Sequence, residues 1–471
     1  MEKNVSSEDH KTGANQNTDA AWYKKQLAPP AEPDRPFILN GETYGDIHRL
    51  AGGLYHYTTS SGICRPWICL CTEDKSLIMA ALLAALAGGP RLILPYAHSC
   101  QALSEVCEAA GPAFFLTKGE GGDDYPPGPA VITPFDFPVG KALPDGQCDP
   151  DEPFLTLFTG GSTGMPKMWP KTPRNMFGEA RYQTDALNVS PDDLFLSTVP
   201  PNHIYGLLFT VLVPFIGRAC VLGSIFTFPR EILKAAKTFR ATILVSIPVH
   251  YRILNTDSLH GNYLRAALSS AGMLDKDDAL AFRQKTGVDV LEVYGSTETG
   301  GIATRRHFVD GDTWVPMDPI TWEIQEGVLR VRSAFLSPEL PRDSHGYFMT
   351  ADCVDKAEDN RFILRGRADD IVKIGGKRVN ILAVQAKLCQ LPDVRDAVVI
   401  SRPAGQGRQN ELAALVVANS DVILLRRLLA EISEAYAIPK HIVTVDRIPM
   451  TPAGKYDRAE IERLLKVEKK Q

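Results

Sequence analysis

From residue 66 to residue 293 the chain repeats one pattern, a short apolar run beside a stretch with helical spacing, and this alternation limits its fold more than any other feature. The runs at 66–71, 91–95, 194–199, 219–222, 242–247 and 288–293 are strand-like, and the Ala/Leu-rich stretch 76–87 is helical. Such alternation predicts a largely parallel sheet covered by helices, because parallel neighbours need a crossover long enough to hold a helix. The texture changes near residue 312, where 321–324, 328–331 and 361–364 read as short strands of an antiparallel ribbon. Gly366-Arg-Ala-Asp-Asp370 is polar and small, a candidate hinge. Beyond it, a helix at 380–390, strands at 397–401 and 412–417 and a helix at 424–435 make a module of about a hundred residues, near the usual size of a small domain.

A chain of 471 residues exceeds what one hydrophobic core usually organises. The expected fold class is therefore α/β: a large N-terminal domain of βα-layered sheets with a small antiparallel ribbon or barrel, then a small α+β C-terminal domain. The expected boundaries are 1–36 for a disordered leader and Pro-rich linker, 37–366 for the large domain and 367–471 for the small one.

The formal charge of −5 leaves no bulk basic field to attract nucleic acid or an anionic membrane, so an anionic ligand must be held by local groups. No apolar run approaches the roughly 20 residues of a spanning helix, so no membrane span is expected. The nine cysteines form no CxxC pair. Cys69 and Cys71 alternate within Trp67-Ile-Cys-Leu-Cys71 as buried thiols of a strand would, and a reducing cytoplasm is the expected location.

The apolar run 154–158 leads directly into Thr159-Gly-Gly-Ser-Thr-Gly-Met-Pro-Lys167. Gly160, Gly161 and Gly164 let backbone N–H groups turn inward without Cβ clashes, which is how a chain wraps a polyphosphate. Thr159, Ser162 and Thr163 add hydroxyl donors and Lys167 a positive charge. A Gly/Ser surface turn is the common alternative for such a loop. A Walker A loop requires lysine directly after the last glycine, opening a helix. Here Met165 and Pro166 intervene, and Met168-Trp-Pro170 cannot continue a helix. The spacing disfavours a P-loop-type phosphotransferase.

In this loop, and in further stretches in the same order, the sequence resembles the acyl-adenylate-forming superfamily of acyl- and aryl-CoA ligases, peptide-synthetase adenylation domains and luciferases. Tyr294-Gly-Ser-Thr-Glu298 resembles its YGxTE motif. That implies that Tyr294 packs on adenine, Thr297 meets the α-phosphate and Glu298 holds Mg2+; a carboxylate is the hard oxygen ligand Mg2+ needs beside phosphates. Ser269-Ser-Ala-Gly-Met-Leu274 resembles the small-residue strand that borders adenine, which implicates Ala271 and Gly272, with Met273 where proline is common. Gly346-Tyr-Phe-Met-Thr-Ala-Asp352 resembles GYxxTGD, whose aspartate accepts the ribose hydroxyls; Ala351 replaces a glycine. Gly366-Arg-Ala-Asp-Asp-Ile-Val-Lys-Ile-Gly-Gly376 resembles GRxDDxIKxxG. It implies a ribose or phosphate contact for Arg367, a hinge at Asp369 that makes the small domain mobile, and thiol access at Gly375 and Gly376. Pro449-Met-Thr-Pro-Ala-Gly-Lys-Tyr-Asp-Arg458 resembles PxTxxGKxxR and gives Lys455 the catalytic position.

The resemblance implies ATP and Mg2+ as cofactors and two half-reactions. A carboxylate attacks the α-phosphorus and pyrophosphate leaves; the thiol of CoA or of a phosphopantetheinyl carrier protein then takes the acyl group. The carboxylate is already anionic at neutral pH, so the difficulty is bringing one anion onto another. Lys455, Thr297, Lys167 and Mg2+ on Glu298 would offset that repulsion. The family's peptide-synthetase members carry an aspartate where this chain has Pro200-Pro-Asn-His-Ile-Tyr-Gly206, so an α-amino acid is not expected. The HxYG pattern resembles aryl- and acyl-CoA ligases, making His203 and Tyr205, with Gly295, the acyl-pocket candidates; core residues of the following run 207–215 are the alternative. An aryl or acyl acid is the expected substrate. A non-catalytic nucleotide- or acid-binding member of the same fold is the competing class.

Overall fold

The computed structural model describes residues 21–119, 125–144, 149–159, 166–255, 262–367, 371–374, 377–403, 410–450 and 456–467. They form two compact units. The first holds residues up to Gly311 with Met317–Pro319 and Ser333–Pro341; the second holds Asp312–Pro316, Ile320–Arg332 and the chain from Arg342 onward.

The first unit contains two twisted α/β layers. One sheet has β1 (Trp67–Leu70), β2 (Arg91–Leu94), β3 (Phe114–Leu116), β4 (Ala130–Ile132), β5 (Leu155–Thr159) and β6 (Lys167–Lys171) in the order 4-3-1-2-5-6. Only β6 is antiparallel to its neighbour. The other has β7 (Leu194–Ser197), β8 (Cys220–Ile225), β9 (Ile243–Ser246), β10 (Ala266–Ser269), β11 (Val290–Ser296) and β12 (Gly300–Arg305) in the order 12-11-10-9-7-8. It is parallel except between β11 and β12. The layering expected from the apolar alternation is thus what forms. Both antiparallel strands, β6 and β12, directly follow a candidate site segment.

Local chemistry sets the helices. Helix α1 (Tyr44–Thr59) opens on a capping box in which Thr43 and Asp46 satisfy each other's backbone N–H groups. Helix α2 (Lys75–Leu86) is capped by Asp74, which accepts from the Leu77 N–H at 2.8 Å, and every one of its residues is buried. A helix apolar on all sides belongs between layers. Even Lys75 is interior: its Nζ donates to the Leu222 carbonyl of β8 at 2.6 Å, and burial holds its pKa down to about 8. Cys69 and Cys71 are both buried, the second one residue past β1. Helix α3 (Pro173–Ala186) has Thr172 as its cap and proline in its first turn.

The second unit begins with an antiparallel sheet of β13 (Thr321–Gln325), β14 (Val328–Arg332), β15 (Phe348–Ala357) and β16 (Arg361–Arg367) in sequential order. A hairpin follows, β17 (Ile371–Ile374) with β18 (Lys377–Asn380). The smaller C-terminal α+β layer has β19 (Val394–Pro403), β20 (Asn410–Ala418) and β21 (His441–Thr444). Alternation along β19 and β20 sends Ala397, Val399, Leu412, Ala414 and Val416 into one core, with α4 (Ile381–Cys389) and α5 (Val422–Ile432). Val398, Ile400, Ala413, Leu415 and Val417 enter the other, with Ile461 and Leu465 of α6 (Arg458–Val467). Among the described residues no helix is long and apolar enough to cross a membrane.

Candidate active site

The glycine-rich segment is the connection of a β hairpin. Thr159, the last residue of β5, lies opposite Lys167, the first of β6. The Trp169 indole N–H donates to Thr159 Oγ1 at 3.2 Å, and Lys167 is exposed beside it. Gly160, Gly161, Ser162, Thr163 and Gly164 lie outside the described residues. That Lys167 opens a strand rather than a helix is a second departure from a Walker loop, independent of the spacing.

The second segment is also a hairpin. Between β11 and β12 the turn carries Thr297 and Glu298, both half-buried. Ser296 and Thr299 tie it together: the Ser296 N–H donates to Thr299 Oγ1 at 3.0 Å, and the Thr299 N–H to Ser296 Oγ at 3.2 Å. A Cβ on Gly295 would overlap the Gly300 carbonyl, so only glycine lets the two strands approach here. Tyr294 is half-buried on β11. Beside it, Ser270 Oγ donates to the Val293 carbonyl at 2.8 Å, which draws the chain after β10 against β11. Ala271 follows with φ +69°, a left-handed conformation that costs a side-chain-bearing residue energy, and Gly272 comes next. The structure therefore brings Ala271 and Gly272 to the strand that carries Tyr294.

Behind the turn stand two residues the sequence motifs did not single out. Lys171, the last residue of β6, is fully buried; its Nζ donates to the carbonyls of Glu298 at 3.4 Å and Phe335 at 3.5 Å. Burial lowers its pKa to about 8, against the opposing pull of the Glu179 and Glu298 carboxylates. Glu179 of α3 is also buried, and its Oε1 accepts from the Gly301 N–H at 2.8 Å. Burial pushes its pKa up to about 7, although the Gly301 N–H and Lys171 favour the ionised form. Asn175 and Gln183 flank Glu179 one turn away on α3 and are buried too, Asn175 Nδ2 donating to the Ala334 carbonyl at 2.7 Å.

Of the acyl-pocket candidates, His203 is half-buried just before the helical stretch Ile204–Leu207. Tyr205 is buried with its hydroxyl donating to the Ser246 carbonyl at 3.1 Å, so its polar end is committed to the sheet and only the ring can line a pocket. Close to that carbonyl, Thr198 Oγ1 and Ser246 Oγ are 2.8 Å apart, and His250 Nδ1 is 2.7 Å from Thr198 Oγ1.

In the second unit, Asp352 of β15 lies opposite Arg367 of β16, with Oδ1 and Nη1 3.8 Å apart. The Asp352 N–H donates to Thr350 Oγ1 at 3.1 Å. Lys455, Asp369, Gly375 and Gly376 lie outside the described residues.

Comparison with known proteins fits this architecture. The family model of the AMP-binding enzymes matches residues 41–325, and that of their C-terminal domain matches residues 383–455. The chain belongs to the AMP-binding enzyme family. It is 26% identical to triostin synthetase I of Streptomyces triostinicus, over 90% of this chain and 89% of that protein. It is likewise 26% identical to an anthranilate–CoA ligase of Pseudomonas aeruginosa, over 84% of this chain and 86% of the relative. ATP-bound MatB from Rhodopseudomonas palustris shares the fold at a TM-score of 0.81 and 20% identity, covering 95% of this chain and 99% of that one. The O-succinylbenzoate CoA synthetase of Bacillus subtilis, solved with ATP and magnesium, gives 0.79 at 18% identity, covering 94% and 99%.

Proposed function

We propose that the chain is an ATP- and Mg2+-dependent ligase that adenylates an aryl or acyl acid, releases pyrophosphate and passes the acyl group to the thiol of CoA or of a phosphopantetheinyl carrier protein. The observation that carries this reading is that β6, the strand leaving the 159–167 loop, ends in Lys171 on the carbonyl of Glu298. The strand that leaves the segment proposed to wrap phosphate and the turn whose carboxylate is proposed to bind the metal thereby share one support.

The residues present suit a hard divalent ion, since the Glu298 carboxylate and the Thr297 hydroxyl on one half-buried hairpin turn offer oxygen donors. Bound there, Mg2+ would neutralise charge on the polyphosphate. The 159–167 loop would hold the β- and γ-phosphates, Thr297 would donate to the α-phosphate, and Tyr294 with Ala271 and Gly272 would border adenine. Asp352 would accept the ribose hydroxyls, with Arg367 beside it. Lys455 would stabilise charge at the α-phosphorus as the acid attacks. The small domain, 367–471, would then turn about Asp369 and present Gly375 and Gly376 to the thiol.

For the acid, His203, Gly295 and the ring of Tyr205 are the proposed walls, and the anthranilate–CoA ligase relative is in keeping with an aryl or acyl substrate. A cytoplasmic location goes with this reading, as nine scattered cysteines without a CxxC pair suit a reducing compartment.

The test is ATP–pyrophosphate exchange across aryl, short-chain and long-chain acids, followed by thioester detection with CoA and with carrier protein. Acid-dependent exchange with AMP as product is expected. ADP as product would revive a phosphotransferase, and acid binding without AMP would make the chain a non-catalytic relative. Asp369→Pro is expected to spare adenylation while slowing thioester formation; equal losses in both steps would remove the hinge.

A further inference from the structure

The hydrogen bonds inside the 296–301 turn close it on itself but do not aim it. Its direction is set from outside the hairpin. On one side Lys171 Nζ and the Ser337 N–H, at 3.4 and 2.8 Å, both donate to the Glu298 carbonyl. On the other side Glu179 Oε1 accepts from the Gly301 N–H at 2.8 Å. Lys171 is 0% exposed and Glu179 2%. Ionisable groups so deep are costly and persist where their partners are fixed. The fit is close: a Cβ on Gly300, whose φ is +67°, would stand 2.5 Å from Glu179 Oε2.

We propose that Lys171 and Glu179 are a positioning pair. They grip the turn by a carbonyl on one side and an amide on the other, and so direct the Glu298 carboxylate without touching the nucleotide. This rests on the reading of Glu298 as the metal ligand. Lys171 arrives on the strand that leaves the phosphate loop and Glu179 on the helix that follows it. The pair thus ties the aim of Glu298 to the segment that wraps the phosphates.

The test begins with the ligand-free protein. In Lys171→Met and in Glu179→Met, amide hydrogen exchange at residues 296–301 is expected to accelerate about tenfold or more, the usual worth of a buried hydrogen bond to a charged group. Glu179→Gln keeps an acceptor for the Gly301 N–H and is expected to hold exchange near the wild-type rate. By titration calorimetry, the Mg2+ concentration that half-saturates ATP binding is expected to rise about tenfold in the methionine variants. Should Lys171→Met fail to fold, Lys171→Gln, too short to reach the Glu298 carbonyl, is expected to give the same acceleration. Unchanged exchange at 296–301 in the folded variants overturns the proposal. Glu298→Gln separates it from the reading beneath: that variant is expected to lose the Mg2+ dependence of ATP binding with its 296–301 exchange unchanged. Retained Mg2+ dependence there would sink the metal-ligand role and leave the exchange result to judge the pair.

Discussion

Two segments of the chain, one in each compact unit, are built on opposite principles. The turn bearing Glu298 is gripped from behind by groups that meet no solvent. Asp352 and Arg367 face each other 3.8 Å apart on adjacent strands, and the arginine side chain is 48% exposed. The Asp352 side chain is 18% exposed, so the pair is half in water, and at that distance it is weak and partly screened by salt. A buried charge that loses its partner costs several kcal/mol, about 3–5 in well-studied cases. The first segment therefore has its geometry enforced before a ligand arrives, whereas the ion pair of the second enforces little. Under the proposed roles, charge developing at phosphorus calls for the former and ribose hydroxyls for the latter.

The sharpest way to break this contrast is kinetic. Glu298→Gln and Lys455→Ala are each expected to lower kcat for pyrophosphate exchange by roughly a hundredfold or more, since one well-placed stabilising group is worth about 3–4 kcal/mol in such a transition state. A loss confined to KM in Glu298→Gln would erase the distinction between the segments. Asp352→Asn is expected to act the other way, raising KM for ATP about tenfold with kcat nearly unchanged, as a weakened charged hydrogen bond of about 1.5 kcal/mol implies.

A third test is the pH dependence of stability. Glu179 has a folded pKa of about 7, above its unfolded value of about 4.5. The folded state therefore holds the extra proton between those values, and the associated stability, present at acid pH, is lost as pH rises through about 7. Relative to Glu179→Gln, the wild-type protein should lose about 1–3 kcal/mol between pH 4.5 and 7.5 in denaturant titrations. A flat difference would show that the carboxyl titrates normally. The smallest effect is expected at the other segment, where Arg367→Ala should change global stability by less than about 1 kcal/mol.

Much of this was legible in the chain. The apolar alternation carried the parallel layers, and the motif strings pointed to Thr159, Lys167, Glu298 and Asp352 as the residues now proposed for the site, because strand-end loops announce themselves through glycine and polar residues at fixed offsets. Lys171 and Glu179 did not announce themselves. A lysine after Met168-Trp-Pro170 looks like a solvated strand end, and Asn175, Glu179 and Gln183 at four-residue spacing look like the wet face of α3. In the fold that row is the buried one. The available signal was that Glu179 shares its stripe with Met176 and Ala180, so a carboxylate sits where the helix is otherwise apolar. Tyr205 shows a different limit: the HxYG resemblance implied a pocket wall with a core residue as the alternative, while the bond from its hydroxyl to the Ser246 carbonyl exists only in three dimensions.

The pairing of Thr159 with Lys167 also bears on how such a protein changes over generations. Thr159 and Lys167 face each other across the two strands, so the strand register does not fix how many residues stand between them in sequence. Lengthening or recomposing that stretch should leave the melting temperature nearly still while nucleotide preference drifts. Selection and the engineer alike would find there a dial for affinity that is insulated from the fold.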